Sequence, residues 1–227
     1  AGRGISRLGT ESGLPSQTIS AVWEDRQRTL WVGTWGEGLF RQNGERFEPV
    51  KLGLSLPEQD SFIRAIYEDA QGQIWVGTRL GGAVCLAASG VKRYDSSMGL
   101  EHSDVQAILR DHSGAVWFGT GGGGLSCLRE GKLTTLRASD GLPSDFVRVL
   151  YEDESQTLWV GTAGGLARVR NGRVVALRMA QGLPDNFISQ ILKDGRGNFW
   201  FGCNRGIFRV VDQELERVAD GAVPVMH

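Results

Sequence analysis

Five polar residues recur along the chain at a near-constant interval: Ser20, Arg64, Gln106, Arg148 and Ser189, separated by 44, 42, 42 and 41 residues. A second set follows with the same spacing: Trp35, Arg79, Gly121, Ala163 and Asn204. Arginine presents a planar fork of N–H donors that matches carboxylates or vicinal hydroxyls, and it stacks on aromatic faces. An indole such as that of Trp35 offers a flat apolar surface to a sugar ring. If one fold element carries each copy, the two sets converge and can hold an anionic or polyhydroxylated small molecule. The plain alternative is a set of solvated strand ends, with Arg64 and Arg148 paired to acids such as Asp60 or Asp145.

Other chemistries find less support. Residues 119–124 spell G-x-G-x-x-G, but a phosphate loop of that kind needs a helix after it, and here a strand pattern follows. Asp25, Asp69, Asp111, Asp153 and Asp194 stand once per interval. Each offers one carboxylate, whereas calcium takes about six to eight oxygens, so a turn-capping role fits better. His102, His112 and His227 have no nucleophile motif beside them and read as surface residues. Cys85, Cys127 and Cys203 form no C-x-x-C pair. Cys85 and Cys127 hold equivalent points of neighbouring intervals and are expected as buried thiols, not a disulfide. The expectation is a chain that is not an enzyme and uses no metal or cofactor.

The interval itself is the main feature. Trp31, Trp75, Trp117, Trp159 and Trp200 keep the same spacing, each six residues after one of the aspartates. Gly33, Gly77, Gly119, Gly161 and Gly202 stand two residues after the tryptophans, and Leu14, Leu56, Leu100, Leu142 and Leu183 open the units. Units run roughly 13–54, 55–98, 99–140, 141–181 and 182–227, as one domain over residues 1–227. Within each, residues near 19–24, 63–68, 105–110, 147–152 and 188–193 are rich in β-branched and aromatic types. A turn opened by aspartate leads to an apolar strand such as "LWVGT", a glycine-rich turn to a third strand, and a polar turn to a fourth. Four strands in about 42 residues, one tryptophan each, is the pattern of propeller blades. The class is all-β, with one short helix near 213–220 that takes Asp212 as N-cap and Gly221 as C′.

A blade is covered on both faces, so its central strands should be continuously apolar. Each tryptophan should lie between blades, with a loop carbonyl accepting its indole N–H. Residues 2–15 align with a fourth strand and its following loop. The chain thus supplies twenty strands, or five four-stranded blades, if residues 2–12 close the last blade as its outer strand. The competing arrangement is a slice of a larger propeller in which residues 223–226 supply that strand.

Composition agrees with such a fold. Of 227 residues 33 are glycine, as many tight turns require, and only 6 are proline. A formal net charge of −1 lacks the basic field that general nucleic-acid binding needs. No apolar run approaches the ~18–20 residues that cross a bilayer, and the chain opens on Ala1, as a mature or excised piece would.

The unit "GLP-x-x-x-V-x-x-I-x-x-D-x-x-G-x-L-W-x-G-T-x-x-G-G-L", clearest at residues 141–166 and 182–207, resembles the two-component regulator propeller repeat of bacteria. That resemblance implies a periplasmic or otherwise extracytoplasmic sensor module of a longer receptor. It also implies seven-bladed rings and ligand or signal sensing often linked to carbohydrates; it does not imply catalysis. The sequence departs from the pattern at Ser55, Glu101 and Cys203. Expected partners are a small polar or carbohydrate-like ligand and further propeller or signalling domains. A protein–protein interaction scaffold without a small ligand is the alternative, and a propeller lyase or hydrolase the third reading.

Overall fold

The structure, a computed structural model, describes residues 7–15, 18–54 and 61–226. Each unit folds into one antiparallel sheet with its strands in chain order. Blade 1 comprises β1 (Ile19–Glu24), β2 (Leu30–Thr34), β3 (Leu39–Asn43) and β4 (Arg46–Val50). Blade 2 comprises β5 (Ile63–Glu68), β6 (Ile74–Thr78), β7 (Ala83–Ala87) and β8 (Gly90–Tyr94). Blade 3 holds β9 (Val105–Arg110), β10 (Val116–Thr120), β11 (Leu125–Arg129) and β12 (Lys132–Leu136). Blade 4 holds β13 (Val147–Glu152), β14 (Leu158–Thr162), β15 (Gly165–Arg170) and β16 (Arg173–Leu177). Blade 5 has three described strands, β17 (Ile188–Lys193), β18 (Asn198–Cys203) and β19 (Gly206–Val211), followed by helix α1 (Asp212–Ala219). First strands of successive blades pack on one another, β1 on β5, β5 on β9, β9 on β13 and β13 on β17. The fold is a five-bladed β-propeller with these strands innermost.

The recurring residues explain why each unit folds alike. In blade 2, Oδ1 of Asp69 accepts the backbone amides of Gln71 and Gln73, tying the turn between β5 and β6. Its Oδ2 accepts the indole N–H of Trp75 at 2.9 Å. The same indole bond joins Trp31 to Asp25, Trp117 to Asp111, Trp159 to Asp153 and Trp200 to Asp194. The acceptor is thus the repeat's own carboxylate, not the loop carbonyl the sequence suggested. One residue satisfies the turn and lets the apolar indole ring enter the core without an orphaned donor. Trp31, Trp75 and Trp159 are buried as expected, whereas Trp117 is half-buried and Trp200 is exposed.

Polar contacts also cross every described blade interface. The Arg26 amide donates to Glu68 and the His112 amide to Glu152, each at 2.9 Å. Arg110 Nη1 reaches Asp69 at 2.9 Å, and Lys193 Nζ reaches Glu154 at 2.5 Å.

Four of the loops that lead into a blade carry one 3-10 turn each, Thr10–Ser12, Ser96–Met98, Ala138–Asp140 and Met179–Gln181, and part of the loop into blade 2 lies outside the described residues. Residues 10–12 are therefore part of a loop, not of the closing outer strand expected over 2–12, and residues 2–6 of that strand lie outside the described residues. At the other end, α1 begins one residue earlier than expected. Val211 is its N-cap, and the Asp212 carboxylate instead meets Lys193 Nζ at 2.7 Å. Gly221 closes the helix with φ 74°, a value that suits glycine. Residues 223–226 form no strand; the Met226 amide bonds to the Gln181 carbonyl at 3.0 Å. Leu215, Val218 and Met226 bury against Leu183 and Phe201. Arg168 of blade 4 holds the helix through Glu216 at 2.6 Å, Asp220 at 2.7 Å and the Ala219 carbonyl at 3.2 Å.

Candidate functional site at the channel mouth

Ser20, Arg64, Gln106, Arg148 and Ser189 share a backbone feature. In β5 the ladder pairs Ile63 with Thr78 and then Ala65 with Gly77, leaving Arg64 as an extra residue. The same register shift falls at Ser20, Gln106, Arg148 and Ser189. All five are β-bulge residues at the start of an innermost strand. A bulge takes its residue out of the in–out alternation and re-aims its side chain, which is how a polar group stands at the end of an otherwise packed strand. Threonine supports this rim. Thr34, Thr78, Thr120 and Thr162 are buried, and each hydroxyl donates to a carbonyl of the adjacent glycine-rich turn. Residues 119–124 are one of these hairpin turns, between β10 and β11. No helix follows them, so the phosphate-loop reading is excluded.

The bulges bring part of the expected set into one array across the ring. The Arg64 guanidinium lies over the Trp35 ring at 4.4 Å and forks onto Asp104, Nε to Oδ1 at 2.9 Å and Nη2 to Oδ2 at 3.2 Å. Gln106 Nε2 donates to Asp104 Oδ2 at 3.0 Å. Arg148 Nη1 donates to Gln106 Oε1 at 2.9 Å, and its guanidinium lies 5.1 Å from the Phe187 ring centre. Trp35, Arg64, Asp104, Gln106, Arg148 and Phe187 thus form one chain of contacts drawn from all five blades. Arg79 flanks it, 5.4 Å from Trp35 and 5.7 Å from Phe62. Ser20 and Asn204 are exposed and Ser189 half-buried; these three stand outside the array.

Arg64 does pair with an acid, but the acid is Asp104. Asp60 lies outside the described residues, and Asp145 accepts the Ala138 amide at 2.7 Å instead. Asp104 stands where the neighbouring units have Phe62, Phe146 and Phe187. That exchange of phenylalanine for a carboxylate in one unit is the signal that sequence reading passed over. Its backbone amide donates to His102 Nδ1 at 3.1 Å, so half-buried His102 belongs to the rim of the site. Arg64 is neutralised by a carboxylate, whereas Arg148 is bonded to an amide oxygen, and among the described residues its buried Nε has no partner. The array offers acceptors and donors in alternation, with two aromatic faces at its ends.

A second concavity lies on the face of the aspartate turns. A groove of about 690 Å³ runs between blades 3 and 4, lined by Trp117, Leu136, Leu158, Arg129 and Arg170. It exists because side chains shrink there. Trp75 packs against Tyr94 and Phe118, but the equivalent positions around Trp117 are Leu136 and Val160. Cys85 and Cys127 are free and buried; burial pushes the Cys85 thiol up to about 11, and that of Cys127 upward also. Among the described residues no group of three or more His, Cys, Asp or Glu gathers to hold a metal.

Residues 57–79, 99–122, 141–164 and 182–205 match the family model described as two component regulator propeller. Four of the five repeats of this chain thus match the two component regulator propeller repeat. The chain is similar to an extracellular domain from B. thetaiotaomicron described as part of a hybrid two component system. The two share 27% identity with a TM-score of 0.75, over 84% of this chain and 27% of that one. A second extracellular domain from the same organism, described as part of a one component system, is 22% identical with a TM-score of 0.69, over 86% and 29% of the two chains. The chain therefore spans under a third of the length of either. Virginiamycin B lyase from Staphylococcus aureus, at 14% identity and TM-score 0.66 over 86% and 70% of the chains, shares the fold. No curated protein sequence matches this chain.

Proposed function

We propose that this chain is a non-catalytic sensor propeller of a longer extracytoplasmic receptor, binding a small polyhydroxylated molecule at the channel mouth. The observation that carries the reading is the array from Trp35 to Phe187, to which every blade contributes. Paired Arg64 and Asp104 form a neutral donor–acceptor rim, better suited to vicinal hydroxyls than to a strongly anionic ligand. Trp35 and Phe187 supply faces on which a sugar ring packs. The buried Arg148 Nε is a donor awaiting an acceptor, and burying it unpaired costs about 1–3 kcal/mol. A ligand oxygen there removes that cost. Resemblance to extracellular domains of signalling receptors supports the location and the attachment to further domains, and no helix among the described residues is long and apolar enough to cross a membrane. Binding that favours one arrangement of attached domains would shift their populations.

An interaction scaffold without a small ligand is the second reading. It is favoured by the Arg64–Asp104 fork, which already consumes two donors of the arginine. The two readings part in one experiment. A thermal-shift panel of neutral sugars, sugar acids and polyols is followed by calorimetry of any stabilising compound against the wild type and Arg64→Ala, Arg148→Ala chains. Loss of affinity of at least about tenfold, or ~1.4 kcal/mol, supports the mouth. Unchanged affinity moves binding elsewhere, and a panel that shifts nothing favours the scaffold.

A further inference from the structure

Four of the five landmark indoles carry a ring or a guanidinium against them. Arg41 lies 5.3 Å from the ring of Trp31, Tyr94 5.5 Å from Trp75, Phe199 5.6 Å from Trp159 and Arg209 5.9 Å from Trp200. Among the described residues Trp117 has neither. Cys127 pairs with it in the ladder where Arg41 pairs with Trp31, and Leu136 and Val160 stand where Trp75 has Tyr94 and Phe118. The space that results is the groove between blades 3 and 4, walled by two complete four-stranded sheets. Its volume of about 690 Å³ falls within the ~300–1,000 Å³ usual for small-molecule sites, and Trp117, Leu136, Leu158 and Val169 give it an apolar lining.

The charges along the groove are engaged unequally. Asp111 accepts the Trp117 indole at 2.7 Å, the Ala115 amide at 3.0 Å and the Ser113 hydroxyl at 2.6 Å. Glu152 takes the His112 amide at 2.9 Å and its imidazole at 2.5 Å. Both acids are thus occupied within the walls. Arg129 reaches Ser113 Oγ at 3.1 Å, and among the described residues neither Arg129 nor Arg170 joins an ion pair. Each is the last residue of a third strand, the place held by Asn43, Ala87 and Val211 in blades 1, 2 and 5. Of the four interfaces between successive blades, only this one has an arginine at that place on both sides.

We propose that this groove is a second binding site, for a small molecule that joins a flat apolar ring to a carboxylate. The ring takes the place against Trp117 that Tyr94 takes against Trp75, since aromatic pairs favour centre-to-centre distances of about 4.5–7 Å. The carboxylate lies toward Arg129 and Arg170, whose planar forks match its two oxygens. A neutral ring would leave both guanidiniums unanswered, and an aliphatic acid would leave the indole uncovered, so the site calls for both parts in one ligand. It shares no residue with the array at the channel mouth.

The test is titration calorimetry of the 227-residue chain with benzoate, phenylacetate and indole-3-acetate, each beside its uncharged amide, and with butyrate as an acid without a ring. At least one aromatic acid should bind, at least about tenfold more tightly than its amide and than butyrate. Replacing Arg129 and Arg170 together by alanine should weaken that binding at least about tenfold. Both side chains are exposed, so circular dichroism and melting should not change. Leu136→Tyr restores the ring that blade 2 has and should abolish binding by filling the groove; should it fail to fold, the arginine pair carries the test. Arg46→Ala, at the hairpin of blade 1, removes a like charge elsewhere and should leave affinity as it was. A chain that binds none of the aromatic acids overturns the proposal, as does an amide that binds as well as its acid. Affinity that survives the double substitution, or that falls equally in Arg46→Ala, overturns it too.

Discussion

Arg110 of blade 3 and Trp75 of blade 2 donate to the same oxygen, Oδ2 of Asp69, each at 2.9 Å. The carboxylate that organises its own hairpin thus also ties its blade to the next one. Burial works against the charged form of Asp69, yet the indole, the Gln73 amide and Arg110 together hold its carboxyl below the ordinary value of 3.8.

Replacing Asp69 by alanine leaves an indole N–H and a guanidinium without their acceptor inside a packed interface. Breaking a buried charge pair from one side costs about 3–5 kcal/mol, and urea denaturation of Asp69→Ala should fall in that range. Asp194→Ala, on the exposed side of blade 5, should cost far less. Equal losses at the two sites would show that the contact across blades contributes nothing.

The acid limb of stability follows from the same residues. Asp25, Asp69 and Asp111 have lowered pKa values; burial opposes ionisation in each, and the indole and amide donors outweigh it. A carboxyl lowered on folding stabilises above its unfolded value of about 3.9, and the contribution is lost as pH falls through the folded value. The urea midpoint should therefore hold near neutral pH and drop steeply below about pH 4. Asp69→Asn should be less stable at neutral pH and show a shallower acid drop; a parallel curve would refute the assignment.

The landmark tryptophans should rank by burial. Trp159 is fully buried, and Trp159→Ala should cost about 3–5 kcal/mol. Trp117→Ala should cost less, because the adjoining groove already leaves that ring half-buried, and Trp200→Ala least of the three. Melting temperatures of the three variants check the order.

Glycine substitutions test the stacking of blades directly. An alanine at Gly77 must displace the Val105 carbonyl, a backbone atom, and at Gly161 it meets both Val149 and Ile188. Overpacking of that kind costs roughly 1–3 kcal/mol. Gly202→Ala meets only Gln190 and Ser189 of its own blade, at 3.1 Å or more, and should be nearly neutral. Denaturation midpoints that fail to separate Gly202→Ala from Gly77→Ala would show that these glycines are not where successive blades make their closest approach.

The five blades, the strand boundaries and the packing role of Trp31, Trp75 and Trp159 could be read in the sequence because a repeat states its local rule five times. Strand pattern, turn chemistry and spacing are short-range properties, and a period near 42 residues averages out the noise of any one unit. Polar residues at the bulges were legible for the same reason, as differences against a constant background. What stayed hidden depends on neighbours about 40 residues away in sequence. The fork of Arg64 onto Asp104 joins residues 40 apart, and Arg110 finds Asp69 at a separation of 41; only the stacking of blades brings such groups within hydrogen-bond distance. The exposure of Trp200 and Ile207 was hidden likewise, since their motif matches that of buried sisters and burial depends on what packs against the blade, not on the motif. A repeat encodes what each unit does within itself; which units meet, and which faces stay uncovered, is decided by the tertiary arrangement.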